Sequence, residues 1–202
     1  MTSPITDVID LLVGITAGSP LDRLRAERPE TRLNAQKSYQ ALFEPAHQGD
    51  VTQDERLAIA VFVADLHAAT DISGFYASGL TDKALATAVG AEVEKGRTHG
   101  PYGRYPAGPL SSEDRAGLVY EVSGDSRSAL GPKLAAALEH SHLLVFRPRE
   151  SNAGALQKLL DAGWTTTGVV TLSQIVAFLA FQIRVVTGLK ALATATAQSL
   201  SA

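Results

Sequence analysis

The segment 169–192 is the most apolar stretch of this chain, and it constrains the fold more than any other feature. It approaches the length of a membrane span, but Gln174, Gln182 and Arg184 lie inside it and would be costly in lipid. We therefore interpret it as a buried helix. Because its apolar residues point in nearly every direction, we expect it to lie at an oligomer interface, where Arg184 meets a carboxylate, helix-end carbonyls or a partner subunit.

Helical signals also cover most of the remaining chain. An aromatic content of only 6% and abundant alanine favour helices over a β-sandwich. Thr52 and Glu55 have the spacing of a capping box, and the segment 57–66 after them is apolar on nearly every face, so we expect a central helix there. The patterns predict an all-α fold with helices over 6–15, 21–27, 29–42, 57–66, 68–78, 81–95, 130–144, 152–162 and 169–192.

The segment 97–110, which reads RTHGPYGRYPAGPL, is the long loop of the chain because its glycines and prolines exclude a regular helix. We expect it to join two helical halves, 1–96 and 111–195, within one domain that spans 1–202. Ser111 and the acidic residues that follow it predict the start of a new helical segment.

The side chains of Tyr102, Arg104 and Tyr105 in this loop are candidate ligand-binding groups. Tyr and Arg recognise anionic or planar groups well, which fits a lid or a clamp over a ligand. A loop that bridges two subunits explains the same residues equally well. The loop lacks the Lys-Ser/Thr pair of a phosphate-binding glycine loop.

The composition excludes several classes of function. With no cysteine, the chain has no disulfide, no thiol catalysis and no zinc site built on thiolates. A net charge of −3 without a long basic stretch argues against nucleic-acid partners. Without the features of a secretory signal at residues 1–15, we expect a cytoplasmic protein that needs no membrane or cofactor. We expect no metal at His140 and His142, because an i, i+2 spacing on a helix points two rings to different faces.

Two stretches carry a resemblance to a known family. They read DERLAIAVFVADLHAATDISGFYASGL at 54–80 and LQKLLDAGWTTTGVVTLSQIVAFLAFQIRVVTGLKAL at 156–192. In combination they resemble the carboxymuconolactone decarboxylase and alkylhydroperoxidase D-like (AhpD-like) superfamily, in particular its cysteine-lacking members built from two halves. The resemblance implies an AhpD-like helical fold and a homo-oligomer.

The family's Asn-Gly-Cys-x-x-Cys-x-x-x-His site has no intact counterpart here. When Glu55 and Arg56 are matched to the family's Glu-Arg pair, its Asn-Gly-Cys falls on 67–69. In the same register its second cysteine falls on Ile72 and its histidine on Tyr76. Both family cysteines are therefore replaced.

A second register takes Glu55 itself as the family's catalytic glutamate, and His67 and Thr70 then stand at the cysteine positions. In both registers the thiol relay is absent, and no hydroxyl replaces a low-pKa thiolate in the reduction of a peroxide. Glu55, His67 and Tyr76 remain as catalytic candidates, since these groups can do acid–base work. Each also has a structural interpretation, as a helix cap, a helix histidine bonded to a neighbour and a core aromatic.

The resemblance leads to the hypothesis of a relative that has lost peroxidase chemistry. Such a protein acts as a thiol-independent acid–base enzyme or as a small-molecule binder. The alternative hypothesis is a non-enzymatic oligomeric partner of another redox protein. A catalyst requires a cavity where Glu55, His67 or Tyr76 converge, whereas a scaffold fills that space with side chains.

Overall fold

A computed structural model describes the backbone of residues 7–200 and the side chains of residues 7–195. Within this range the regular elements are helices, accompanied by one isolated bridge between Gly103 and Arg115. The predicted all-α fold is therefore confirmed. The helices are α1 (Val8–Val13), α2 (Pro20–Ala26), α3 (Pro29–Phe43), α4 (Gln53–Leu66), α5 (Thr70–Ala77), α6 (Lys83–Gly96), α7 (Gly124–Phe146), α8 (Ala153–Asp161) and α9 (Thr166–Leu200).

The helix starts follow the capping signals of the sequence. The Thr52 hydroxyl accepts a hydrogen bond from the Glu55 N–H at 3.2 Å, and the Glu55 carboxylate accepts one from the Thr52 N–H at 2.8 Å. This confirms the predicted capping box. Other side chains that accept a first-turn N–H belong to Asp7, Ser19, Asp82, Ser123 and Asn152.

The chain divides into two compact units. The first consists of residues 1–46 and 180–202, and the second consists of residues 47–179. The loop 97–110, where we expected two halves to meet, lies inside the second unit.

In the second unit, α4 is the central helix. Residues 56–64 are all buried, and α4 packs against α5, α6 and α7. Arg56 tolerates burial because its guanidinium donates to the carbonyls of Val51 and Gln48 at 3.1 and 2.9 Å. The prediction of a central helix over 57–66 is confirmed.

The helical segment predicted to start at Ser111 is wrong. Only the short 3-10 turn Pro109–Glu113 forms there. Cap residues start a helix only when an apolar stripe of helical spacing follows them. Here Tyr120 and Val122 are buried while Glu121 between them is exposed, which is the period-two alternation of an extended chain.

Tyr102 anchors the loop 97–110 against this extended segment. Its hydroxyl donates to the Leu118 carbonyl at 2.8 Å, and its ring stacks on Phe146 at a centroid distance of 6.1 Å. A Cβ atom at Gly117 would lie 2.1 Å from the Tyr102 ring, so only glycine permits this approach.

Helix α7 contains a break that separates a short first part from a longer second part. Gly131 has φ +70° and ψ 165°, and Pro132 follows it. A backbone conformation of this kind is open to glycine, and proline suits the first turn of a new helix segment. The helix predicted over 130–144 corresponds to the second part. A 3-10 turn, Pro148–Glu150, then leads to α8, which packs on α7.

In the first unit, an ion-pair cluster joins α1, α2 and α3. Arg25 pairs with Asp7 at 2.9 Å and with Asp10. Arg32 pairs with Asp10 and, at 2.8 Å, with Asp22. An open hollow of about 860 Å³ lies beside this cluster, but its three aspartates and Arg32 are all engaged with one another.

Helix α9 is only partly buried, which corrects the interpretation of 169–192 as a buried helix. Thr166–Ala195 is long and apolar enough to cross a membrane, and 44% of its most apolar window is buried. Val170 and Phe181 are exposed. Arg184 is exposed as well and donates to the Ala180 carbonyl of its own helix at 2.7 Å, so it needs no carboxylate partner.

Candidate functional site

The structure does not bring the predicted catalytic residues together. Glu55 lies in the first turn of α4, and His67 follows the last residue of the same helix. A separation of twelve helical residues corresponds to about 18 Å, which is far beyond the reach of one reacting group.

Glu55 is engaged in structural contacts. Besides closing the capping box, its carboxylate pairs with the Lys133 ammonium group at 2.9 Å. Lys133 in turn lies over the Trp164 ring at 4.7 Å. These contacts give Glu55 a structural explanation, and its catalytic role stays a prediction.

His67 and Tyr76 each make structural contacts. His67 is half-buried, and its backbone N–H donates to the Val63 carbonyl at 3.2 Å where α4 ends. Tyr76 is 1% exposed and meets the Phe75 ring edge-on at 5.0 Å. Neither residue lines the cavity described below.

The loop residues predicted to bind a ligand are held by contacts within the second unit. Tyr102 is 4% exposed and packed as described above. The Arg104 N–H donates to a Glu150 carboxylate oxygen at 2.8 Å, and the Tyr105 ring lies under the Arg149 guanidinium at 4.0 Å. Ligand binding by Tyr102, Arg104 or Tyr105 stays a prediction.

A cavity of about 550 Å³ lies within the second unit. Positions 136, 139, 140, 143 and 147 form one wall, because residues three and four apart share a face of a helix. Further lining comes from residues 119–121, Glu150 and the beginning of α8. A volume of this size suits a small organic ligand, for which sites of roughly 300–1,000 Å³ are usual.

His140 is the group of greatest chemical interest in this cavity. It is 5% exposed and lines the cavity, yet no hydrogen bond to its imidazole is found among residues 7–195. Burial lowers the pKa of His140 below its usual value of 6.5, so the ring is neutral at pH 7. A neutral imidazole has one donor and one acceptor nitrogen.

His142, in contrast, is packed in the core. Its ring is 1% exposed, lies between Tyr120 and Phe146 with centroid distances of 4.8 Å to each, and bonds the Gly96 carbonyl through Nε2 at 2.9 Å. The predicted divergence of the two rings is confirmed, because only His140 lines the cavity. Among the residues described, no cluster of three His, Asp or Glu side chains suits a metal ion.

Charged side chains of both signs surround the cavity. Glu139 accepts hydrogen bonds from Arg127 at 2.5 Å and from the Val122 N–H at 3.0 Å. Glu150 lies 3.4 Å from Nε of Arg147. Acid–base chemistry and binding of a polar ligand are both possible in such surroundings.

A buried hydrogen-bond network fixes the position of Tyr120, one of the lining residues. Glu92 is completely buried and accepts from the Tyr120 and Ser123 hydroxyls, each at 2.6 Å. Burial alone would raise the pKa of Glu92, but hydrogen bonds from Ser123, Tyr120 and neighbouring groups outweigh it and lower the pKa to about 2. The carboxylate therefore stays ionised, and its hydrogen bond holds Tyr120 in place in the lining.

Sequence reasoning considered His140 only together with His142 and did not consider Arg147. The useful signal was the spacing of Glu139, His140 and Arg147, which places three polar groups on one face of the helix. The same pattern does not show that the beginning of α8 completes the lining of the cavity.

Comparisons with family models, with curated proteins and with solved structures find no match to this chain. The site is interpreted from its own residues.

Proposed function

We propose that the protein binds a small organic molecule in the cavity between α7 and α8, and that His140 exchanges a proton with it. The observation that supports this most is the imidazole itself: it is 5% exposed, lines the cavity and has no hydrogen-bond partner in the described part of the chain. The unpaired ring nitrogens are not sealed off by protein atoms, so a molecule bound in the cavity can reach them.

The chemistry of His140 suits a general base. Its lowered pKa leaves the ring neutral, with one nitrogen able to accept a proton from a bound molecule. Glu139, adjacent in sequence, also lines the cavity and is paired with Arg127. This function needs no thiol, in agreement with a chain that has no cysteine.

Membership of the AhpD-like superfamily remains a proposal of its own, supported by the two stretches at 54–80 and 156–192 and by the order of helices around them. The site proposed here lies on α7 and α8, whereas the family's thiols would stand where α4 ends and α5 begins. The proposed function therefore does not depend on the resemblance.

Fragment binding tests the proposed function. A fragment library of mixed charge should shift the backbone NMR signals of cavity residues in the full chain, and His140→Gln should weaken the fragments that do so. His99→Gln is the matched control, because His99 is exposed and does not line the cavity. A library in which no fragment shifts the cavity signals would refute a small-molecule site.

A second candidate function is association through α9, as a homo-oligomer or with another protein. The exposure of Val170 at 52% and Phe181 at 39% favours it, because large apolar side chains along one helix commonly mark an interface. Sedimentation of the wild type should then show an oligomer that Val170→Glu dissociates. Leu156→Glu, an exposed position on α8, should leave the oligomer intact.

A further inference from the structure

Resting on the proposed small-molecule site, we infer that its ligand carries an oxyanion, either a carboxylate or a phosphate, and that Arg147 binds it. Arg147 lies where α7 ends and lines the cavity beside the beginning of α8.

The guanidinium of Arg147 has unused donors. Its side chain is 15% exposed, and its closest charged partner is a Glu150 oxygen 3.4 Å from Nε, an approach too poorly aligned to be a hydrogen bond. Over the described residues, none of the guanidinium N–H groups of Arg147 donates to a protein acceptor. A guanidinium offers five donors in a planar fork that matches a carboxylate or a phosphate, so an oxyanion is the natural partner of this group.

The charge of Arg147 acts on its neighbours. Burial contributes most to the lowered pKa of His142, and Arg147 lowers it further. Glu150 is the one ion-pair partner of this charge among the described residues, and it approaches only Nε. A bound anion would give the other guanidinium nitrogens a charged partner.

Two further features add positive potential at the same cavity. The first turn of α8 contributes Gly154 to the lining, and helix N-termini favour anions through their free N–H groups and their dipole. Lys158 also lines the cavity, and its ammonium group has no ion-pair partner within residues 7–195.

Of the three carboxylates in the lining, Glu139 and Glu150 are engaged, whereas Glu121 is exposed and has no ion pair among residues 7–195. Glu139 is paired with Arg127 at 2.5 Å, and Glu150 accepts from the Arg104 N–H at 2.8 Å. Glu139 and Glu150 are thus occupied, while Arg147 and Lys158 retain free donors. The buried Nε of Arg147, which has no acceptor, favours an oxyanion at its own end of the cavity.

Matched probes test the inference on the full chain by NMR titration. Benzoate and phenyl phosphate should bind at the cavity roughly tenfold more tightly than neutral benzamide, since hydrogen bonds to charged groups are worth that much or more. Arg147→Gln should remove the preference for the anions, whereas Arg149→Gln, which deletes the same charge outside the lining, should keep it. The tighter of the two anions identifies the oxyanion type.

The results separate two failures. If neutral fragments shift the cavity signals and benzoate and phenyl phosphate bind no better than benzamide, the oxyanion inference is overturned and the small-molecule site stands. Equal anion affinity of Arg147→Gln and the wild type overturns the role of Arg147. Should Arg147→Gln not fold, Arg147→Lys, which keeps the charge but not the planar fork, must weaken the anions relative to benzamide, and an unchanged ratio overturns the inference. If nothing shifts the cavity signals, the proposed function itself fails.

Discussion

Gly117 is the residue at which one added methyl group should be most damaging. A Cβ there would lie 2.1 Å from the Tyr102 ring, which is buried and stacked on Phe146. We expect Gly117→Ala to lower the free energy of unfolding by about 1–3 kcal/mol, as overpacking does. Chemical denaturation measures the change.

Gly90→Ala is the control for that substitution. Gly90 lies within α6, where an added Cβ meets nothing within 4 Å. Alanine at an unhindered helix position should raise the free energy of unfolding by roughly 0.5–1 kcal/mol. Equal effects of the two substitutions would contradict the close approach of Gly117 to Tyr102.

Protonation of His142 should make stability depend on pH. Burial lowers its folded-state pKa to about 4, against 6.5 for an unperturbed histidine. The unfolded chain therefore takes up a proton as the pH falls through 6.5, while the folded protein does so only near 4, and the free energy of unfolding falls between these values. The full loss is up to roughly 3 kcal/mol.

The measurement compares urea unfolding at about pH 7.5 and about pH 5, above the range in which carboxylates titrate. His142→Gln should flatten the dependence, whereas His99→Gln, at an exposed position, should retain it. His140, whose pKa burial also lowers, accounts for the slope that remains. An unchanged slope in His142→Gln would show that its ring is not the group concerned.

Few of the individual residues in the candidate site could be predicted from the sequence. His67, Glu55 and Tyr76 were selected because the resemblance places them near a thiol site, and the structure distributes them over the two ends of α4 and the core. The importance of His140 depends on burial and on a cavity formed with α8, which are tertiary properties that no local pattern carries.

The start of α4 is stabilised by the capping box of Thr52 and Glu55. The Thr52 hydroxyl accepts the Glu55 N–H, and loss of such a cap typically costs about 1 kcal/mol. Thr52→Ala should therefore reduce the free energy of unfolding by that amount. Thr87→Ala is the control, because Thr87 is exposed within α6 and bonds only a carbonyl of its own helix. A comparable loss in both variants would contradict the capping role.

Sequence patterns located helices well and the irregular segments poorly. The starts of α3 and α4 were predicted from Pro29 and from the capping box, which act through local chemistry. The stretch after Ser111 was mistaken for a helix because cap residues were weighed without the alternation at Tyr120 and Val122. Helix α9 was predicted to end at 192, yet it continues to Leu200, since alanine and threonine there supply no helix stop.

Because the chain has no cysteine, we expect the protein not to reduce peroxides through a thiol. The purified protein with hydrogen peroxide and dithiothreitol should consume peroxide no faster than buffer does, because reduction through a protein thiol needs a cysteine thiolate. The measurement is the loss of peroxide with time. Dithiol-dependent turnover above the buffer rate would refute the assignment of thiol-independent chemistry.

The division of the chain also has a consequence for its synthesis. The first unit is assembled from residues 1–46 and 180–202, and everything between them belongs to the second. A ribosome releases the chain from its N-terminus, at about 5–20 residues per second. The second unit has therefore left the ribosome before residue 180 emerges. Helices α1, α2 and α3 must wait for the later part of α9, and until then Ile9 and Ala35 lack the neighbouring side chains of Phe181 and Val185. During translation, this early helical segment therefore exposes apolar side chains that a chaperone can protect.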